Sequence, residues 1–232
     1  MDNHDHPDKV EVAERLSRDL IRAATFRRSA AEDSRRRGAR DRLRAWQAER
    51  LARSYPDLLA DERYGPAAQF FLSDLYGPKD FSERDREVER LLPLMIKALP
   101  VSGLATLALA VELDALSEEL DAAMSDRLPL STCLDDDSYA AAYRCVGRRS
   151  DRLRQIELIG ETGEALEKLA RKPLVAGALK LMHGPAHMAG LGELHDFLER
   201  GFFAFRHMGR ADEFLERIGN EERRLMTLWL AP

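Results

Sequence analysis

The chain has 232 residues, of which 44% are hydrophobic and 33% charged, and its formal net charge is −5. This composition is typical of a soluble globular protein with one large domain or two small ones. The two cysteines, Cys133 and Cys145, have no partner at CxxC or CxxH spacing, so neither a disulfide framework nor a zinc site is indicated. The acidic N-terminus lacks the apolar core of a signal peptide, and the most apolar stretch, residues 98–111, is too short to span a membrane. We therefore expect a cytoplasmic protein without membrane association.

Helical patterns occur along almost the whole chain. No run of residues alternates with period two for long enough to predict a strand, and β-branched residues are scarce compared with Leu, Ala, Arg and Glu. The sequence therefore predicts an all-α fold, a multi-helix bundle of roughly seven to nine helices without significant β-sheet.

The first predicted helix covers about residues 9–54, with a weak point around Gly38. Residues 1–56 hold 14 basic and 10 acidic residues. We expect them to form a basic helical region that can project from a bundle built by residues 57–232. Residues 27–53 carry ten arginines against four acids. A helix that binds nucleic acid has such a pattern, although a solvated helix face has it more often.

A second expected feature lies in the segment QFFLSDLYGPKDFSERD, residues 69–85. A Gly-Pro pair predicts the end of one helix, and a serine followed by an acid three residues later predicts the capped start of the next. Asp74 falls on the apolar face near the end of the first helix, where burial and the helix dipole both disfavour a carboxylate. It therefore requires a partner such as Arg84 or Arg149. Alternatively, Asp74 is a ligand-binding carboxylate, with Tyr76, Asp80 and Arg84 nearby.

The clearest linker lies near residues 125–135 and predicts a boundary between subdomains. A long helix is expected after it, from residue 136 to 159 and on to residue 170. Arg149 and Glu157 fall in or beside its apolar stripe, whereas Arg152 faces away. The first two are therefore candidates for a buried polar cluster.

The histidines invite a metal hypothesis, because helical bundles often build metal sites from Glu-x-x-His pairs. That spacing is absent. His195 and Glu199 share a helix face four residues apart, which more often indicates a solvated pair than a metal site. His187 falls on an apolar face and is expected to be a satisfied core residue. We predict no metal site and no cofactor.

Three motifs, FFLSDLYGPKDFSERD, SYAAAYRCVGRRSDRLRQIEL and GPAHMAGLGELHDFLERGFFAFRHM, resemble those of an uncharacterised bacterial family of helical proteins, a domain of unknown function. The pattern FFLxDLYGPxDFSxRD is the most specific of them. The resemblance implies a soluble helical protein from a bacterium, and more specifically from a proteobacterium. It identifies no catalytic residues.

Two classes of function follow, with a third as a further alternative. The favoured class is a non-enzymatic protein that acts through self-association or a protein partner, with Phe203 as an exposed contact. The alternative is a small-ligand or catalytic pocket at which Asp74, Arg149, Glu157 and His187 converge. The further alternative is nucleic-acid binding by the arginine-rich N-terminal helix. The sequence contains no glycine-rich phosphate loop and no GxSxG motif.

Overall fold

A computed structural model describes residues 8–72, 82–128 and 134–231 of the chain. These residues contain eleven helices and no strand, so the all-α prediction is confirmed and the predicted number of helices is too low. Two predicted helices, over residues 9–54 and 136–170, are each divided in two. The helices are α1 (Lys9–Glu32), α2 (Ser34–Ser54), α3 (Pro56–Ala60), α4 (Gly65–Phe70), α5 (Ser82–Ala98), α6 (Val101–Ser125), α7 (Asp136–Val146), α8 (Arg149–Ala170), α9 (Pro173–Met188), α10 (Gly192–Met208) and α11 (Asp212–Leu230).

The first division falls at Asp33, between α1 and α2. The backbone of Asp33 is extended, with φ −122° and ψ 115°, and its carboxylate accepts hydrogen bonds from the N–H groups of Arg35 and Arg36 at 2.8 and 3.4 Å. Aspartate is well suited to cap a helix in this way, and an extended residue cannot continue the helix before it. Gly38, the predicted weak point, lies inside α2 instead.

The N-terminal helix α1 lies along α6. Val12 and Leu16 of α1 are buried against Leu104, Ala108 and Val111 of α6. Each fully buried aliphatic side chain of this size contributes about 1.5–3 kcal/mol to the stability of the fold. Helix α1 of the basic region therefore packs on α6.

Charge complementarity accompanies this packing. The buried carboxylate of Glu118 on α6 forms ion pairs with Arg40 and Arg44 of α2, and Arg27 of α1 reaches it at 3.2 Å. Arg27 also pairs with Asp114 at 2.5 Å. Burial lowers the pKa of Arg40 to about 10. These arginines neutralise the acids of α6, which gives them a structural role and leaves less positive charge for a nucleic acid.

The second division falls at Gly147 and Arg148, between α7 and α8. Both residues have positive φ, 64° and 53°, so the backbone leaves the helical conformation in the middle of the predicted helix. Because the helix restarts with a different phase, Arg152 faces the interior and Arg149 is exposed. The predicted orientations of these two side chains are therefore wrong.

The remaining core among the described residues includes two aromatic clusters and a small aliphatic cluster of Leu116, Leu120 and Leu158. One aromatic cluster joins Phe70 of α4 to Phe205 of α10 and Phe214 of α11. The other aromatic cluster includes residues from both sides of the predicted subdomain boundary, because Met124 of α6 and Tyr139 of α7 pack in the same cluster. Residues 129–133 of that predicted boundary lie outside the described residues.

No helix among the described residues combines the length and the apolar composition that a membrane span needs.

Candidate metal centre

Helices α9 and α10 form a hairpin that brings three histidines together. The turn between them is tight: Gly190 has a φ of 67°, and the Leu191 N–H donates to the carbonyl of Ala186 at 2.9 Å. His183 and His187 lie one turn apart on α9 and therefore share a face. The hairpin places that face against the start of α10, which carries His195, Asp196 and Glu199.

The distances between these side chains are short. The Nδ1 atom of His183 lies 3.2 Å from Oε2 of Glu199 and 3.9 Å from Oδ1 of Asp196. The Nε2 atom of His195 lies 3.7 Å from the same Glu199 oxygen, and Nε2 of His187 lies 2.8 Å from Oδ1 of Asp196. These side chains form two groups of three possible ligand atoms, and the atoms inside each group lie within 4.8 Å of one another. One group is His183, His195 and Glu199, and the other is His183, His187 and Asp196.

His195 differs from the other two histidines because it is buried, with 6% of its surface exposed. Its Nε2 atom has no hydrogen-bond partner in the described part of the chain. A buried nitrogen without a partner destabilises a fold, because the hydration that the atom loses is not replaced. A ligand at this atom would compensate for that loss.

Helix α5 holds the hairpin in place. The buried carboxylate of Glu87 accepts a hydrogen bond from the N–H of Leu194 at 2.8 Å, in the first turn of α10. Arg90 donates to the carbonyl of Gly190 in the turn at 2.9 Å. A Cβ at Gly192 would lie 2.8 Å from the ring of His187, so glycine is needed for the close approach of that ring. The positions of the histidines are therefore supported from outside the hairpin.

The arrangement fits a transition-metal ion. Imidazole nitrogens and carboxylate oxygens are ligands of Zn²⁺ and similar ions, and two atoms each about 2.1 Å from a tetrahedral ion lie about 3.4 Å apart. The pairs formed by Glu199 with His183 and His195, at 3.2 and 3.7 Å, lie close to that separation. Asp196, at hydrogen-bond distance from His187, is placed to orient that ring, as carboxylates often do around metal ligands.

Three of the residues that were predicted to converge on a pocket are exposed to solvent: Arg149, Glu157 and His187. Arg149 is exposed at the start of α8, and Glu157 is exposed and lies 3.7 Å from Arg154. His187 is exposed at the metal centre and not part of the apolar core, because α9 ends just after it and its ring faces α10. The convergence of these residues with Asp74 on a pocket stays a prediction.

Three of the candidate residues, Asp74, Tyr76 and Asp80, lie outside the described residues. Arg84 lies in α5, but its side chain is also outside them. Phe203, expected as an exposed contact, is half-buried, with the ammonium of Lys180 5.5 Å from its ring centre. Gly201 of α10 allows a close contact with α4, because a Cβ there would lie 2.7 Å from the ring of Phe70.

The sequence indicates the candidate metal centre through a spacing other than Glu-x-x-His. His183 and His187 form one pair four residues apart, and His195 and Glu199 form another. Each pair alone is common on solvated helices. The three-residue turn between α9 and α10, residues 189–191, is what brings the two pairs to the same place.

A family model described as Domain of unknown function (DUF8198) matches residues 26–231. No curated protein and no solved structure matches the chain.

Proposed function

The chain belongs to the DUF8198 family of domains of unknown function, and we propose that its α9–α10 hairpin binds a divalent transition-metal ion, with Zn²⁺ as the reference ion. The observation that carries the proposal is the buried Nε2 atom of His195, which has no hydrogen-bond partner among the described residues and lies in one group of possible ligands with Glu199 and His183. These three residues are the proposed ligands. His187 and Asp196 lie beside these ligands and contact each other at 2.8 Å, between Nε2 and Oδ1.

A site of three protein ligands leaves one coordination position for water or another small molecule. Catalytic zinc sites have this composition, whereas structural zinc sites are closed by four protein ligands. His183 is half exposed and Glu199 is a quarter exposed, so the proposed open position is reachable from solvent. The proposal assigns no reaction to this position.

Titration of the full chain with Zn²⁺ by calorimetry, and with Co²⁺ by visible absorption, tests the proposal. A His4→Asn/His6→Asn background removes the two N-terminal histidines as competing ligands. We expect one ion per chain, and we expect His195→Asn and Glu199→Gln each to weaken binding about 10- to 100-fold. His207→Asn is the matched control, because His207 also lies on α10 but contacts the carbonyl of Glu62 at 2.9 Å.

Two results would overturn the metal proposal. One is the absence of saturable binding at metal concentrations up to about 1 mM, the range of weak non-specific association. The other is unchanged affinity in both His195→Asn and Glu199→Gln. Circular dichroism of each variant shows whether the fold is retained, and Glu199→Gln alters a partly exposed side chain that the core does not need.

We also propose self-association, because α9 presents an apolar stripe to solvent. Leu174, Leu181 and Met188 are 86%, 78% and 90% exposed and lie seven residues apart. Ala178 and Pro185, also exposed, lie between them on the same face. A stripe with this spacing is typical of a helix that pairs with a copy of itself. It lies on the side of α9 opposite His183 and His187, so the metal centre and the stripe are separate surfaces.

Sedimentation of the full chain over a range of concentrations tests this second proposal. We expect a dimer that Leu181→Glu converts to a monomer without loss of helical content. Ile21→Glu is the control, because Ile21 is 67% exposed on α1, away from the stripe. A monomeric parent chain, or a dimer that Leu181→Glu leaves intact, would contradict self-association through α9.

A further inference from the structure

Helix α9 belongs to both of the surfaces proposed above. It supplies the metal ligand His183 on one side and the exposed apolar stripe of Leu174, Leu181 and Met188 on the other. A ligand that binds at one of two sites affects the other when both sites need the same state of the element that joins them. The attachment of α9 to the rest of the chain therefore determines whether the two surfaces influence each other.

The two halves of α9 are attached to the bundle to different extents. In the first half, Val175 and Leu179 pack against the aromatic cluster that α4, α10 and α11 share. In the second half Ala186 is buried, whereas residues 180–185 and 187–188 are exposed. A segment with few buried apolar contacts opens at a low cost in free energy. The second half of α9 is therefore the weakly attached part of the helix.

The sequence of the second half also disfavours a helix. Pro185 lies inside the helix, and it has no N–H group to donate to the carbonyl of Leu181. Gly184 precedes it, and glycine loses more conformational entropy in a helix than other residues do. A Cβ at Gly184 would meet nothing within 4 Å among the described residues, so packing does not require glycine there. The helical state of this half therefore depends on its contacts with α10.

Polar contacts at the candidate metal centre join this half of α9 to α10. Nδ1 of His183 lies 3.2 Å from Oε2 of Glu199, and Nε2 of His187 lies 2.8 Å from Oδ1 of Asp196. A metal ion held by His183 on α9 and by His195 and Glu199 on α10 would connect the two helices. Because these ligands meet only when the second half of α9 is helical and packed on α10, binding of the ion would stabilise that state.

The apolar stripe requires the same state of α9. Leu181 and Met188 lie in the weakly attached half, and they align with Leu174 only while that half is helical. We propose that metal binding at the α9–α10 hairpin strengthens self-association through the stripe on α9. This inference rests on both parts of the proposed function, metal binding and self-association. Because coupling between two binding sites is reciprocal, self-association raises the metal affinity by the same factor.

Sedimentation equilibrium of the full chain in the His4→Asn/His6→Asn background, with Co²⁺ or with EDTA, measures the effect of the metal on the dimer. The visible absorption of Co²⁺ shows in the same samples whether the metal centre is occupied. We expect the Kd of the dimer to fall about 5- to 150-fold with bound Co²⁺, the usual range for coupling between two sites. Glu199→Gln, at a Co²⁺ concentration that fills the parent site only, should keep the Kd measured in EDTA.

Co²⁺ titrations at two protein concentrations measure the reverse effect. The parent chain should bind Co²⁺ about 5- to 150-fold more tightly at a protein concentration above the Kd of the dimer than at one well below it. Leu181→Glu should bind Co²⁺ with the affinity of the dilute parent chain at both concentrations. Ile21→Glu is the matched control, because it adds the same charge to an exposed apolar position on α1 and should behave as the parent chain does.

The outcomes separate the coupling from the proposals on which it rests. Bound Co²⁺ with an unchanged Kd of the dimer would overturn the coupling and leave metal binding and self-association in place. A Co²⁺-induced dimer that persists in Leu181→Glu would also overturn it, because the ion would then join two copies directly through exposed side chains such as His183. A chain that binds no Co²⁺, or that forms no dimer in either condition, overturns the coupling together with the proposal that has failed.

Discussion

His183 of α9 and Glu199 of α10 face each other across a helical hairpin, with 3.2 Å between Nδ1 and Oε2. They are sixteen residues apart in sequence, and the turn at Gly190 makes them neighbours. His195, the buried residue of the group, lies one turn before Glu199 on α10. The metal proposal depends on this juxtaposition, and its consequence for stability can be measured separately from affinity.

Zinc should raise the thermal stability of the chain, because a ligand that binds the folded state stabilises it by mass action. At a free Zn²⁺ concentration 100 times the Kd, the free energy of unfolding rises by about 2.7 kcal/mol, and Tm rises by roughly 5–10 °C for a protein of this size. Differential scanning calorimetry with Zn²⁺, and then with added EDTA, measures the gain and its reversal. In Glu199→Gln we expect only a small rise in Tm with Zn²⁺ and a correspondingly small fall on addition of EDTA. A rise of the same size in Glu199→Gln would place the stabilising ion elsewhere.

Glu118 should be the most important charged residue for stability. Replacing it with glutamine leaves Arg40 buried beside an uncharged side chain, and breaking a buried ion pair in this way costs about 3–5 kcal/mol. Urea denaturation measures the loss. Glu161→Gln is the control, because Glu161 is partly exposed and pairs with Arg154 at 2.7 Å, a surface interaction worth at most about 1 kcal/mol. Equal losses in the two variants would contradict the structural role of the Glu118 cluster.

The stability contributed by Glu119 should depend on pH. Burial acts to raise the pKa of Glu119, but hydrogen bonds from Arg22 and Arg148 outweigh it and leave the pKa below its ordinary value. A carboxyl group whose pKa is lowered by folding stabilises the folded state above its unfolded pKa, and this stability is lost as the pH falls through the folded value.

Glu119→Gln should therefore destabilise the chain at pH 7, by about 1–2 kcal/mol for two charged hydrogen bonds on a partly exposed group. The difference in unfolding free energy between Glu119→Gln and the parent chain should become smaller at a pH below the lowered pKa of Glu119. Urea denaturation of both proteins across this range measures the difference, and one that is constant with pH would contradict the prediction.

Two glycine-to-alanine substitutions should have opposite effects. At Gly201 a Cβ would lie 2.7 Å from the ring of Phe70, so Gly201→Ala must displace a core aromatic side chain at a cost of about 1–3 kcal/mol. At Gly177 a Cβ would meet nothing within 4 Å, so Gly177→Ala should add about 0.5–1 kcal/mol by favouring the helix. Thermal denaturation measures both effects. A stable Gly201→Ala variant would mean that Phe70 can move without cost.

The sequence by itself determined the helical character of the chain. Leucine, alanine and arginine with helical periodicity, and the lack of long alternating runs, are local properties, and the structure confirms the all-α fold that they predicted. The close contact at Gly201 was also predictable, because a glycine on an apolar helix face leaves room for a neighbouring side chain. The end of a helix depends more on single residues: Asp33 and the pair Gly147–Arg148 divided helices that periodicity had predicted to be continuous.

The phase of α8 and the histidine cluster were decided only by the tertiary structure. A break of two residues at Gly147 and Arg148 reversed the expected orientations of Arg149 and Arg152, because each residue adds about 100° around a helix and a short irregular segment resets that angle. His183 and Glu199 belong to different helices, and periodicity within one helix carries no information about the distance between two. The turn at Gly190 and the support from α5 fix that distance, so the candidate metal centre exists only once the chain has folded.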